Sequence, residues 1–318
     1  MQRRKFLGAL GALGLAGAAG GMVSPRMRGN GGAGPGIAGT GGPHIPSLPG
    51  MRPAPGSAAA PGGLPEQWGV QLYTVRGAMA ESVPATLEAV AAMGYGEVEF
   101  AGLFGHSPVQ VRSLLDSLGL RAASCHVGMD VIRGPWEAAL DDAATLGQDL
   151  IVLPSLPGDA RTADGLKALA EELSRAGEAA RARGLHLGFH NHDFEVTPLA
   201  AGAGGDGSPA SRPLDLLLAH SDAATVSFQM DLFWVVHGGA DPLAYFRDHP
   251  GRFLSVHVKD RSADGRMVDV GAGSLDFRSL LQAGEAAGVR HAFVEHDNPE
   301  EPMASIRAGI RHLQTLRD

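Results

Sequence analysis

Hydrophobic residues follow two alternating patterns from about residue 66 to the end of the chain. Short runs rich in Val, Ile, Leu and Phe alternate with stretches in which apolar residues return every three or four positions. The short runs predict eight β-strands: "WGVQLYTV" (68–75), "GEVEFAG" (96–102), "RAASCHVG" (121–128), "DLIVLPS" (149–155), "HLGFHNH" (186–192), "TVSFQMD" (225–231), "RFLSVHVKD" (252–260) and "HAFVEHD" (291–297). Stretches between them predict helices, for example over 83–93, 108–118, 165–183 and 277–287.

This alternation predicts an α/β fold of the (β/α)8 type, a TIM barrel, over residues 66–318. A body of about 250 residues is typical of one such barrel, in which the chemistry lies at the carboxyl ends of the strands. A doubly wound open sheet is the structural alternative. No Gly-rich phosphate-binding turn follows the first predicted strand, which favours the barrel.

The first 65 residues have a different composition. Arg3, Arg4 and Lys5 precede a short run of Leu, Ala and Gly, a pattern that predicts a twin-arginine export signal over 1–22. That run is too short and Gly-rich for a stable membrane span. Residues 23–65, rich in Gly, Pro and Ala, are predicted to form a disordered linker. We therefore expect an exported protein, periplasmic or extracellular.

Charge narrows the choice of partner. The first 65 residues hold six Lys and Arg and no acidic residue, which leaves 20 basic against 34 acidic residues in 66–318, a net charge of about −14. A body of this sign repels phosphate backbones, so a nucleic-acid partner is not expected.

Polar residues gather where the predicted strands end. Period-two spacing places each pair of alternate residues on one face of its strand. The residues concerned are Gln71, Tyr73, Glu97, Glu99, His126, His190, His192, Asp231, His257, Lys259, Glu295 and Asp297. If the outer members point inward, the barrel mouth collects carboxylates and imidazoles, which bind divalent ions. Each residue also has a structural interpretation: Glu99 as an ion-pair partner of Lys259, and other histidines as hydrogen-bonded structural residues.

Several motifs resemble one enzyme family. The stretches "FHNHDFE", "QMDLFWVVHGGADP", "RFLSVHVKD", "VGAGSLDF" and "FVEHDNP" are similar to the sugar phosphate isomerase/epimerase family with the xylose-isomerase-like barrel, above all to its exported branch and the inosose dehydratases. The resemblance covers residues 66–318. It implies a divalent ion, Mn, Co or Zn, held by one residue from each of strands five to eight: His190, Asp231, His257 and Glu295. Relatives commonly pair, so a homodimer is possible.

The chain departs from the family at one of these positions. Many family members have glutamate in a Glu-Asn-His motif where this chain has His190-Asn191-His192. Two carboxylates that flank the substrate can take and return a proton, and the histidine removes one of them. Epimerisation is therefore less expected than in those relatives. His190 is the expected ligand, and His192 the expected contact to substrate or to a ligand, with Asp193 or Glu195 as hydrogen-bond partners.

The implied chemistry passes through an enediolate. A divalent ion polarises a substrate carbonyl, a base removes the neighbouring proton, and the metal-stabilised enediolate then either regains a proton or expels a β-oxygen. Glu295 is the predicted base. The candidates for other acid–base roles are Lys259, His126, Glu99 and His192, with an ion pair to Glu99 or Asp297 as the alternative role of Lys259.

We therefore predict a metal-dependent enzyme for an unphosphorylated sugar, keto-sugar or cyclitol. Elimination by a lyase or dehydratase is favoured, for example on an inosose or 3-keto-glycoside, and isomerisation or epimerisation is the alternative. An endonuclease of the same superfamily is disfavoured by the acidic body, and a non-catalytic sugar-binding protein by the complete set of ligand-type residues.

Overall fold

The computed structural model describes residues 63–199 and 211–317. Eight parallel strands close into a barrel in the order β1-β10-β7-β6-β5-β4-β3-β2, which confirms the predicted fold. The strands are β1 (Gly69–Gln71), β2 (Glu97–Phe100), β3 (Arg121–His126), β4 (Leu150–Leu153), β5 (His186–His190), β6 (Val226–Asp231), β7 (Phe253–Val258) and β10 (His291–Val294), with a small antiparallel hairpin of β8 (Asp260–Arg261) and β9 (Met267–Val268) after β7. The predicted export signal and all but the last three residues of the predicted linker lie outside the described residues.

Helices surround the barrel. They are α1 (Arg76–Glu81), α2 (Val83–Met93), α3 (Pro108–Leu118), α4 (Met129–Arg133), α5 (Trp136–Leu146), α6 (Ala163–Ala182), α7 (Asp193–Val196), α8 (Pro213–His220), α9 (Leu232–His237), α10 (Pro242–Asp248), α11 (Phe277–Ala286) and α12 (Pro302–Thr315). Local sequence sets their ends: Ser107 and Gln110 form a capping box at the start of α3, and Gly119 ends it in the left-handed conformation. No helix among the described residues is both long and apolar enough to cross a membrane.

The strands are shorter than the sequence predicts, and this affects the mouth of the barrel. β5 ends at His190, so Asn191 and His192 belong to the following loop, and β10 ends one residue before Glu295. At the other end the barrel is closed tightly. A side chain on Gly69 would place its Cβ 2.4 Å from the Phe293 ring, which explains the glycine. The apolar core lies between the strands and the helices, whereas many interior positions of the barrel are polar.

Candidate metal centre and active site

Three ligand-type side chains meet at the carboxyl ends of β6, β7 and β10. Asp231 ends β6, His257 lies one residue before the end of β7, and Glu295 follows β10 directly. The strand register pairs Asp231 with His257, and the backbone N–H of Glu295 donates to the carbonyl of Val258 at 3.1 Å. The parallel register therefore brings these side chains to one point at the barrel mouth.

Each of these side chains places one ligand-type atom at this point. Asp231 Oδ2, His257 Nδ1 and Glu295 Oε2 lie within 4.8 Å of one another. His257 Nδ1 is 2.6 Å from Glu295 Oε2 and 4.0 Å from Asp231 Oδ2. All three atoms are buried, and their close polar contacts are with one another and with Lys259 Nζ. Carboxylate with imidazole is a usual donor set for Zn, Mn or Co. The residues fit a divalent ion.

His190, from the neighbouring strand β5, extends this cluster. Its Nε2 is 3.8 Å from Asp231 Oδ2, and its Nδ1 is 3.1 Å from Gln229 Oε1. Burial, together with the positive charge of His257, holds the pKa of His190 well below its ordinary value. A neutral imidazole has a lone pair, which a metal ligand needs. The structure thus brings His190, Asp231, His257 and Glu295 together, and their role as ligands stays a prediction.

Lys259 lies among the carboxylates of the cluster. Its Nζ is 2.9 Å from Asp231 Oδ2, 2.9 Å from Glu295 Oε2 and 2.5 Å from Asp297 Oδ1. Burial alone would lower the pKa of Lys259, but the three carboxylates outweigh it and raise the pKa well above the ordinary value. Lys259 is therefore a buried ammonium. The sequence left two ion-pair partners open for Lys259, Glu99 and Asp297. The structure shows the ion pair with Asp297, whereas Glu99 contacts Gln71 and His257.

Burial and neighbouring charges shift the pKa values of the cluster's acids and bases in different directions. Burial raises the pKa of Asp231 to about 6, although Lys259 and His257 oppose that rise. Burial would also raise the pKa of Glu295, but Lys259 and His257 hold it well below its usual range. Burial would lower the pKa of His257, whereas Glu295 and Glu99 raise it to about 10. Glu295 is therefore ionised at neutral pH.

Below this cluster lies a layer of hydrogen-bonded polar side chains. Glu99 Oε1 accepts from Gln71 Nε2 at 2.7 Å and lies 2.6 Å from His257 Nε2. His126 Nε2 is 2.9 Å from Gln229 Oε1 and 3.3 Å from Glu99 Oε1. Both Glu99 and His126 therefore support the cluster from beneath. The sequence analysis missed Gln229, although it lies two residues before Asp231 and so on the same face of β6.

The loop after β5 forms one side of the mouth. The backbone N–H of His192 donates to Glu195 Oε2 at 2.7 Å, so Glu195 holds the loop rather than the imidazole ring. Burial, and then the charge of Lys259, lower the pKa of His192 to about 4, which keeps the ring neutral at pH 7. The ring stacks on Phe194 at 5.7 Å and lies 5.9 Å from that of Trp234. His192 is therefore a neutral ring beside Phe194 and Trp234, and its role as a substrate contact or acid–base group stays a prediction.

The Gly-rich motif "VGAGSLDF" has a structural explanation. The buried carboxylate of Asp260 accepts hydrogen bonds from the backbone N–H groups of Arg261, Gly271, Gly273 and Leu275 at 2.7–3.3 Å. A Cβ on Gly273 would lie 2.2 Å from Asp260 Oδ1, so this close approach requires glycine. These four backbone N–H groups are therefore bonded to Asp260 and are not free to bind a phosphate group.

Comparison with curated proteins finds inosose dehydratases. The enzyme from Geobacillus thermodenitrificans (strain NG80-2) is 27% identical over 168 residues, which are 45% of this chain and 53% of that protein. The enzyme from Lacticaseibacillus casei is 24% identical over 234 residues, which are 61% of this chain and 75% of that protein. The matches thus span about half of the first relative's length and three quarters of the second's.

Comparison with solved structures finds the same barrel. A sugar phosphate isomerase/epimerase from Parabacteroides distasonis ATCC 8503 is 25% identical with a TM-score of 0.69, over 82% of this chain and 96% of that chain. The IOLI protein, whose structure contains a zinc atom, has a TM-score of 0.63 at 13% identity, over 79% of this chain and 97% of that chain. At that identity the second match bears on the fold alone.

The family model described as xylose isomerase-like TIM barrel matches residues 87–316. This range begins in α2 and ends after α12, so it includes every ligand-type residue of the cluster. The observed strand order and the position of the polar cluster agree with the match. The chain belongs to the xylose isomerase-like TIM barrel family.

Proposed function

We propose that this protein is a divalent-metal-dependent enzyme that eliminates a β-oxygen substituent from a keto-sugar or a keto-cyclitol. The observation that carries the proposal is the convergence of Asp231 Oδ2, His257 Nδ1 and Glu295 Oε2, which are buried at the barrel mouth beside the ammonium of Lys259. The similarity to inosose dehydratases supports a dehydratase, and the cluster of ligand-type side chains supports a metal.

Four residues would hold the ion, Mn, Co or Zn. They are His190 through Nε2, Asp231, His257 through Nδ1, and Glu295. When bound, a divalent ion there would supply Lewis-acid polarisation of a substrate carbonyl, which makes the neighbouring C–H more acidic. The two carboxylates would balance the double positive charge of the ion, and the two imidazoles would bind it as neutral ligands.

Glu295 is the proposed base, and His192 is the second candidate. Glu295 is ionised and next to the cluster, but its contacts with Lys259 and His257 make it a weak base. His192 is neutral at pH 7 and forms the side of the mouth. Either residue would remove the proton from the substrate carbon beside the carbonyl, which converts the substrate into an enediolate.

Lys259 is the proposed acid for the departing oxygen. Its ammonium is held by Asp231, Glu295 and Asp297 and so remains protonated at neutral pH. Elimination needs one base and one acid, whereas epimerisation needs a second base on the opposite face of the carbon. A carboxylate at position 190 would supply that second base, and His190 does not. Elimination is therefore favoured over epimerisation.

The test is a screen of unphosphorylated keto-sugars, inososes and 3-keto-glycosides with metal-loaded protein in deuterated water, followed by NMR. We expect a dehydrated or cleaved product, with C–H exchange abolished in Glu295→Gln if Glu295 is the base and in His192→Gln if His192 is. His220→Gln, an exposed substitution, is the control. Interconversion of two epimers with deuterium incorporated, and without a dehydrated product, would contradict elimination and favour an epimerase.

We also propose that the chain is exported by the twin-arginine route. The support is the sequence alone, in which Arg3 and Arg4 precede a short apolar run. Cell fractionation of Arg3→Lys/Arg4→Lys should find the protein retained in the cytoplasm, with the unaltered chain in the periplasm or medium. Export that persists in the double variant would indicate a different signal.

A further inference from the structure

We infer that Gln229 is a positioning residue that fixes the tautomer of His190, so that Nε2 of this imidazole faces the metal cluster. The inference rests on the proposed metal function and concerns a residue outside the ligand set. Gln229 is fully buried on β6, two residues before Asp231. It contacts histidines from two other strands, His126 of β3 and His190 of β5.

The orientation of the Gln229 amide follows from its partners. Its Nε2 donates to Glu99 Oε2 at 2.7 Å and to Ser255 Oγ at 3.0 Å. A carboxylate can only accept, so the amide nitrogen must face Glu99, and the amide oxygen must face the two histidines. The carboxylate of Glu99 therefore fixes which end of the Gln229 amide is the nitrogen and which is the oxygen.

The histidine tautomers follow in turn. Gln229 Oε1 lies 2.9 Å from His126 Nε2 and 3.1 Å from His190 Nδ1. A carbonyl oxygen can only accept, so each of these nitrogens must carry a hydrogen. Neutral His190 then has its lone pair on Nε2, the atom that lies 3.8 Å from Asp231 Oδ2. One glutamine oxygen thus holds His190 in the form that can bind an ion beside Asp231.

The same layer distinguishes the two ligand-type clusters found among the described residues. His126, His190 and His257 also bring nitrogen atoms within 4.8 Å of one another. In that cluster, however, His126 Nε2 and His190 Nδ1 face Gln229 Oε1, and His257 Nε2 is 2.6 Å from Glu99 Oε1. These nitrogens are used in the supporting layer, which favours the cluster of Asp231, His257 and Glu295 as the place of the proposed ion.

His257 and His190 are supported in complementary ways. His257 uses Nε2 toward Glu99 and leaves Nδ1 at the cluster, whereas His190 uses Nδ1 toward Gln229 and leaves Nε2 there. A fixed partner on the second nitrogen orients a ligating imidazole, and its loss typically weakens metal binding about 10- to 100-fold. Gln229→Leu keeps the size of the side chain and removes the acceptor, so we expect a loss of that order.

The first measurement uses the metal-stripped full chain labelled with 15N-histidine. Long-range 1H–15N spectra, with signals assigned from His190→Gln, should show protonated Nδ1 and unprotonated Nε2 for His190. Gln229→Leu should lose this preference. Gln229→Glu keeps an acceptor oxygen for His190 and should keep the Nδ1–H tautomer. Gln148→Leu, at a buried glutamine that donates to Ser124 O, is the matched control and should leave the His190 signals unchanged.

The second measurement is Zn²⁺ affinity by competition with a chelator. We expect about 10- to 100-fold weaker binding in Gln229→Leu than in Gln148→Leu, with both variants folded by circular dichroism. An Nε2–H tautomer of His190 in the unaltered protein, or Gln229→Leu with unchanged tautomer and affinity, would overturn the inference. Absence of any ion binding by the unaltered protein would overturn the proposed function instead, because the tautomer measurement does not depend on metal.

Discussion

Replacing Lys259 by Met removes a buried positive charge and keeps most of the side chain's volume. In the native protein Nζ lies within 2.9 Å of carboxylate oxygens from Asp231, Glu295 and Asp297. Asp231 and Glu295 are buried, so without the ammonium their charges face each other with His257 as the remaining counter-charge. Breaking a buried ion pair by removing one partner costs about 3–5 kcal/mol. We expect Lys259→Met to lower the free energy of unfolding of the metal-free protein by about that amount.

The expected loss depends on pH. Without the ammonium, the pKa of Asp231, which burial already raises, rises further, and the pKa of Glu295 rises from its lowered value, so protonation of these carboxylates offsets more of the loss as the pH falls. The destabilisation by Lys259→Met should be largest near pH 8 and should shrink as the pH falls toward about 5. For a domain of this size, 3–5 kcal/mol corresponds to a fall in Tm of roughly 6–20 °C.

Denaturant unfolding in the presence of chelator measures this change, with Lys167→Met as the matched control. Lys167 has a half-exposed side chain, and its nearest carboxylate oxygen, on Asp164, is 3.8 Å away, so its replacement should change stability by less than about 0.5 kcal/mol. Zn²⁺ should restore part of the stability lost in Lys259→Met, because ion binding returns positive charge to the same carboxylates. A loss below about 1 kcal/mol at pH 8, or one that stays constant to pH 5, would refute this reasoning.

Three further predictions test the cluster and the opposite end of the barrel. Asp231→Ala and His257→Ala should each lose bound metal, measured by elemental analysis, and keep a native circular dichroism spectrum; unfolding would mean that these residues are structural. Burial would lower the pKa of His291, but two neighbouring carboxylates raise it to about 9, so His291→Phe should cost roughly 3 kcal/mol below pH 6.5 and progressively less as the pH approaches 9. Denaturant unfolding at pH 6 and pH 9.5 checks this, with His220→Gln as the insensitive control. His190→Glu should raise the ratio of epimerised to dehydrated product in deuterated water, and an unchanged ratio would contradict the role given to position 190.

The barrel could be predicted from the sequence because each strand forms an apolar run and helical periodicity separates most of the runs. The residues at the mouth could be predicted because parallel strands bring their carboxyl ends together, as for Asp231 and His257, which pair in register. The partners of Lys259 could not be decided, since Glu99 and Asp297 are both carboxylates of suitable strands. The structure distinguishes them because Glu99 lies deeper, in contact with His257 and Gln229.

The role of Gln229 could not be predicted from the sequence, for a different physical reason. A buried glutamine is neutral and belongs to no ligand type, so its importance depends on which side chains of other strands it faces. That information comes from the strand register, in which His190 lies opposite Gln229, and from the closure of the barrel, which brings His126 across the interior. Neither relationship is local in sequence. The signal that was available is the period of two, which places Gln229 on the same face as Asp231.

The distribution of hydrogen bonds inside the barrel indicates where a ligand can act. At the amino-terminal end, Glu97 accepts from His291 Nδ1 at 2.9 Å, and in the middle Glu99 accepts from Gln229 at 2.7 Å. These carboxylates are satisfied within the protein and have little to gain from a ligand. At the carboxyl-terminal mouth, by contrast, Asp231 Oδ2, His257 Nδ1 and Glu295 Oε2 contact one another and Lys259 Nζ, and His192 Nδ1 is buried without a hydrogen-bond partner. Leaving a buried polar atom such as His192 Nδ1 unsatisfied costs about 1–3 kcal/mol. The buried carboxylates of Asp231 and Glu295 depend on one ammonium and one imidazole for their counter-charge, so a cation or a polar substrate has more to gain at this end of the barrel than at the other.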